Sequence, residues 1–100
     1  MRKTIRTKSV DELFEAISCL KNKEEFYEFF EDICTSNEVV SIAQRLEVAK
    51  MLHDNKTYIE IAKETGASTA TISRVNRSLN CGNGSYEYIF ERIGVKGNEE

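Results

Sequence analysis

Thr57-Tyr58-Ile59-Glu60-Ile61-Ala62-Lys63-Glu64-Thr65-Gly66-Ala67-Ser68-Thr69-Ala70-Thr71-Ile72-Ser73-Arg74 reads as two short helices joined by one tight turn. Thr57 is placed to cap the first helix. Gly66 falls just past its end, where a left-handed backbone costs any residue with a Cβ roughly 1 kcal/mol or more. Ser68 can cap the second helix and direct its free N–H groups outward. Ala62 is small enough for two helices to cross closely over it, and Ile61 and Ile72 are spaced to fill the wedge between them. The pattern predicts a helix-turn-helix over about residues 57–80.

The second helix presents Ser68, Thr69, Ala70, Thr71, Ser73, Arg74 and Arg77, all small, hydroxylated or cationic. A helix entering a major groove about 12 Å wide needs such residues at its leading end. Hydroxyls bond base edges or phosphates, alanine touches a thymine methyl, and arginine pairs with guanine or phosphate. No acid occurs between Ser68 and Ser85, where a carboxylate would face phosphates. Tyr58 and Lys63 are expected to hold the DNA backbone from the first helix of the motif. A plain helical hairpin with a solvated second helix is the alternative. Single caps and glycine turns are common, but the joint pattern is far more specific.

Outward from the motif the chain reads as all-α. It has 100 residues, no proline, and five glycines that begin only at Gly66, a composition that permits long helices. Ser9-Val10-Asp11-Glu12 has capping-box spacing, followed by an apolar stripe of Val10, Leu13, Phe14, Ile17 and Leu20. Asn22 is placed to cap a second helix, whose apolar face is Phe26, Phe29, Phe30 and Ile33. Ser36 or Asn37 opens a central helix running to about Asp54, apolar over an arc wide enough for burial on two sides. Ser85 opens a last helix closed by Gly94. The aromatics Phe14, Phe26, Phe29, Phe30, Tyr86 and Phe90 lie at helical spacing and are expected in the core. The expected organisation is a basic flexible arm at 1–8, one helical DNA-binding and dimerisation domain at 9–94, and a frayed tail at 95–100.

Charge and chemistry narrow the function. The net charge is −3, but its distribution matters more than its sum. Asp11, Glu12, Glu15, Glu24, Glu25, Glu28, Glu31 and Asp32 crowd the first third, while Arg2, Lys3, Arg6 and Lys8 precede them without an acid. Paired acids there read as a solvated face rather than acid–base catalysts. Cys19, Cys34 and Cys81 form neither a disulfide framework nor a zinc pattern; they read as free thiols in a reducing cytosol. His53, the one histidine, suits a helix end. No catalytic constellation, metal site, signal segment or bilayer-length apolar run is evident, so an enzyme is the least favoured class and a cytoplasmic location is expected.

The run Ile42-Ala43-Gln44-Arg45-Leu46-Glu47-Val48-Ala49-Lys50-Met51-Leu52, with Gly66-Ala67-Ser68-Thr69-Ala70-Thr71-Ile72-Ser73-Arg74-Val75-Asn76-Arg77-Ser78-Leu79, resembles the Trp-repressor-like family, in its YerC/YecD-type branch. The likeness covers about residues 9–94. It implies a six-helix fold, an intertwined homodimer, and two reading heads about 34 Å apart on a palindromic operator in double-stranded DNA. It also implies a transcription regulator, a repressor by analogy, in the bacterial cytosol and nucleoid. In the Trp repressor two arginines sandwich a tryptophan corepressor. The matching positions are Arg45 and Arg74, with Ser78 as a matching serine, which makes these three the candidate effector-binding residues. The residue after the second arginine is a glycine in the Trp repressor and is Val75 here, so a β-branched side chain would crowd a ring slot. No cofactor is therefore expected; a small-molecule corepressor of other identity, or none, is favoured over tryptophan. The competing roles are a protein-interaction module that has lost DNA binding and an amino-acid sensor switched by its ligand.

Overall fold

A computed structural model describes residues 4–97 of the chain. Six helices follow one another: α1 Lys8–Ser18, α2 Lys23–Ile33, α3 Ser36–His53, α4 Tyr58–Thr65, α5 Thr69–Cys81 and α6 Ser85–Gly97. No strand occurs among the described residues. The chain divides into two compact units, Met1–Val39 and Val40–Glu100.

In the first unit, the cap of α1 is Thr7 rather than Ser9. Thr7 is extended and its hydroxyl accepts from the Val10 backbone N–H at 3.3 Å. Ser9 lies inside the helix, its hydroxyl 3.3 Å from that of Thr7. Lys8, expected in the arm, is the first helical residue. Asn22 caps α2 as expected, its Oδ1 accepting from the Glu25 N–H at 2.9 Å, while Glu25 Oε1 accepts from the Lys21 N–H at 2.8 Å. The cap of α3 is Thr35, one residue before the expected Ser36 or Asn37. Thr35 Oγ1 accepts from the Glu38 N–H, and Glu38 Oε1 accepts from the Thr35 N–H. That exchange satisfies two otherwise unpaired donors.

Neither α1 nor α2 buries a residue. Phe14 is 53% exposed and Phe26 40% exposed, so these two rings are not core residues; Phe29 and Phe30 are half-buried and meet edge to face at 5.7 Å. Two 11-residue helices cannot enclose aromatic side chains between them.

The second unit holds the core. Val48, Ala49, Ile61, Ala67, Ile72 and Val75 are buried, with Met51, Leu52, Ala62, Tyr86 and Phe90 packed around them. Of the wide apolar arc of α3, only Val48 and Ala49 are buried; Val40, Ile42 and Leu46 are exposed. His53 ends α3 with its ring edge-on to Phe90 at 5.1 Å and its two nitrogens each 3.9 Å from a carboxylate, of Asp54 and of Glu87. Phe90 in turn stacks on Tyr86. α6 does not stop at Gly94; it continues to Gly97, because glycine weakens a helix by about 1 kcal/mol without forbidding it. Residues 1–3 of the expected arm and 98–100 of the expected tail lie outside the described residues.

Candidate nucleic-acid interface

The geometry of α4, the turn and α5 follows from local chemistry. Thr57 caps α4 with a complete capping box: its hydroxyl accepts from the Glu60 N–H at 3.1 Å and its own N–H donates to Glu60 Oε1 at 2.8 Å. Gly66 ends α4 at φ 76°, in the left-handed region, and its N–H donates to the Ala62 carbonyl at 2.9 Å. Only glycine takes that conformation without strain. Ser68 caps α5, accepting from the Thr71 N–H and donating to Thr71 Oγ1 at 3.2 Å.

Two residues that sequence reading passes over lock the turn. The Thr65 hydroxyl donates to the Ile61 carbonyl at 2.7 Å and accepts from the Ala67 N–H at 3.1 Å. Gln44, reaching from α3, donates its amide to the Thr65 carbonyl at 3.1 Å. A threonine before a turn glycine is a local signal for the first. The second spans 21 positions in sequence and leaves no local trace. Ile61 and Ile72, both 0% exposed, fill the wedge between α4 and α5 as their spacing predicts.

The capping box gives α4 a pH dependence. The backbone N–H of Thr57, then its side chain, then Lys56 hold the Glu60 carboxyl below the usual carboxylate range. A group depressed in the folded state stabilises it above the unfolded pKa, and that contribution is lost as pH falls through the folded value. Acidification should therefore lower the protection factor of the Thr57 amide, its exchange measured against the unstructured rate at the same pH, and Glu60→Gln should flatten that acid dependence. An exchange profile unchanged by Glu60→Gln would contradict the assignment.

α5 is divided sharply by its 3.6-residue period. Ile72, Val75 and the half-buried Leu79 face the core. Opposite them Ala70, Arg74, Arg77 and Cys81 form an exposed ridge, flanked by the exposed Thr69 and Ser78. Thr71 and Ser73 are half-buried at its sides, and Ser68 is exposed but engaged as the cap. Tyr58 and Lys63 are exposed on α4, as is Arg45 on α3. Among the described residues, no carboxylate lies within ion-pair distance of Arg45, Lys63, Arg74 or Arg77. Arg45 and Arg74 thus form no ion pair with Glu38 or Glu47. Asn76 and Asn80, which sequence reading did not single out, join their amides at 3.2 Å along the side of α5.

Val75 is 3% exposed and packs with the core rather than toward solvent. A shallow, charged groove of about 350 Å³ lies elsewhere, lined by Met51, Lys56, Glu60, Lys63 and Glu64.

Two short helices around a left-handed glycine, the second baring a cationic ridge, define a helix-turn-helix protein. The chain belongs to the Trp repressor protein family, whose profile matches residues 8–94. It is 57% identical over 89 residues to the uncharacterised protein YerC of Bacillus subtilis, covering 89% of this chain and 86% of that one. The crystal structure of a TrpR-like protein from Eubacterium eligens superposes with a TM-score of 0.87 at 60% identity, covering 90% of this chain and 93% of the other. A Staphylococcus aureus crystal structure superposes at 0.86 with 54% identity, covering 90% of each chain. The family points to a DNA-binding regulator. Among the described residues no helix is long and apolar enough to cross a membrane.

Proposed function

We propose that this protein is a sequence-specific transcriptional regulator, a repressor by analogy with its family, that binds a palindromic operator as a homodimer through α5. The observation that carries the reading is the exposed ridge of Ala70, Arg74 and Arg77, whose guanidinium groups have no carboxylate partner among the described residues. Thr69, Thr71 and Ser73 beside it supply hydroxyls for base edges, and the helix N-terminus opened by Ser68 suits a phosphate. Tyr58 and Lys63 clamp the backbone from α4. The partner is double-stranded DNA and the setting the bacterial cytosol and nucleoid; the reading assigns no catalytic reaction.

The homodimer is supported by the apolar side chains that the single chain leaves open: Phe14, Phe26 and Ile33 on α1 and α2, Val40, Ile42 and Leu46 on α3, Ile89 and Ile93 on α6. So much exposed apolar surface is unusual for a monomer.

This reading requires no tryptophan corepressor, which the family resemblance would seat beside a glycine where this chain carries Val75, a residue buried in the core. A tryptophan-free protein should therefore shift a duplex carrying a site selected from a random pool, and added tryptophan should change neither affinity nor melting temperature. A ligand at 100 times its Kd would add about 2.7 kcal/mol of stability. A melting shift with tryptophan or another amino acid would restore the ligand-switched sensor, with Arg45, Arg74 and Ser78 as its contacts. Failure to select any duplex at low salt would leave the protein-interaction module, which the net charge of −3 favours.

A further inference from the structure

The linker between α5 and α6 contains Asn83-Gly84, and we propose that it is a self-modifying site at which Asn83 converts to aspartate and isoaspartate. The chemistry needs an asparagine side chain, a following backbone nitrogen free to attack it, and water. The Gly84 nitrogen attacks Asn83 Cγ, forming a C–N bond; the Cγ–Nδ2 bond breaks and ammonia leaves, carrying the proton lost by the attacking amide. Water then opens the resulting five-membered imide at either carbonyl. One opening gives aspartate, the other isoaspartate, with an extra methylene in the backbone.

Structure and sequence together single out this asparagine. Asn83 and Gly84 are both exposed and lie between the end of α5 at Cys81 and the start of α6 at Ser85. Among the described residues the Gly84 N–H donates no hydrogen bond that would hold it back from attack. A Cβ built on Gly84 would meet nothing within 4 Å, so no residue beyond its chain neighbours crowds this glycine. Gly84 also sits at φ 82°, and glycine moves between backbone basins at little cost.

The other asparagines lack one or more of these conditions. None of Asn22, Asn37, Asn55, Asn76, Asn80 or Asn98 precedes a glycine. Asn37, Asn76 and Asn80 lie inside helices; the amide after Asn37 is held by the Thr35 hydroxyl at 3.1 Å, and those after Asn76 and Asn80 are in the helical hydrogen-bond ladder. Asn22 is engaged as the cap of α2. Asn55 is followed by Lys56, whose N–H donates to the Met51 carbonyl at 2.9 Å. Either product at position 83 adds a carboxylate to the linker, and isoaspartate also lengthens the path from α5 to α6.

The test is to incubate the full-length protein in mildly alkaline buffer, native and in urea, and to map deamidated peptides by mass spectrometry over time. Fragmentation that separates aspartate from isoaspartate identifies the two products. The expected result is that the peptide containing Asn83 gains the mass difference between hydroxyl and amino well before any other, with both products present. Its native rate should fall within about threefold of the urea rate, because no local opening is needed. N83Q should abolish the change at that position. A native rate far below the urea rate, or modification of Asn55 as fast as of Asn83, would overturn the proposal.

Discussion

Replacing Arg74 and Arg77 together with alanine is expected to lower affinity for the selected duplex by about 100-fold or more at moderate salt. Each charge-assisted hydrogen bond to phosphate or base contributes about 1.5–3 kcal/mol, and no carboxylate of the described chain shares either guanidinium. If both contact phosphate, the slope of log affinity against log salt should fall by about two, one for each lost contact. Both side chains are exposed on the ridge of α5, away from Ile72 and Val75. Stability should therefore stay within about 0.5 kcal/mol per substitution, so circular dichroism would show an intact helical protein that no longer binds. Binding equal to that of the unaltered protein would remove α5 from the interface.

Ile72→Ala should have the opposite signature, with the fold failing first and binding following it. Ile72 is 0% exposed, one of six buried core residues among those described. Deleting most of such a side chain costs about 2–5 kcal/mol through lost transfer energy and the cavity left behind. For a domain of this size that corresponds to a melting temperature lower by roughly 10 °C or more. Ala67 and Val75, the other buried residues of the turn and α5, are anchored from their own backbone positions and cannot refill the space. A loss under about 1 kcal/mol in thermal denaturation would mean that the wedge between α4 and α5 collapses around the vacancy.

The helix-turn-helix was readable from residues because its determinants are local. Thr57, Gly66 and Ser68 each act on groups within four positions, and the structure shows each in the role its spacing predicts. The N-terminal caps were less determinate for an equally local reason. Thr7 and Ser9, like Thr35, Ser36 and Asn37, offer neighbouring side chains that can all cap a helix. The choice falls to whichever residue the backbone leaves extended, as it leaves Thr7 at φ −117° and ψ 166°. Gln44 escaped notice because its partner, the Thr65 carbonyl, is brought near only by folding.

Apolar periodicity marks where a helix wants burial and is silent on how much of it one chain supplies. Phe14, Val40 and Ile42 satisfy the helical pattern yet stay open to solvent in the single chain. The sequence alone therefore determined the helices, their turn and the absence of acid from Ser68 to Ser85, since these depend on neighbours a few positions apart. Only the tertiary structure decided that Val75 turns inward while Arg74 and Arg77 turn outward. That division requires α3 and α4 to occupy one side of α5, and packing from elsewhere in the chain sets which side is left bare.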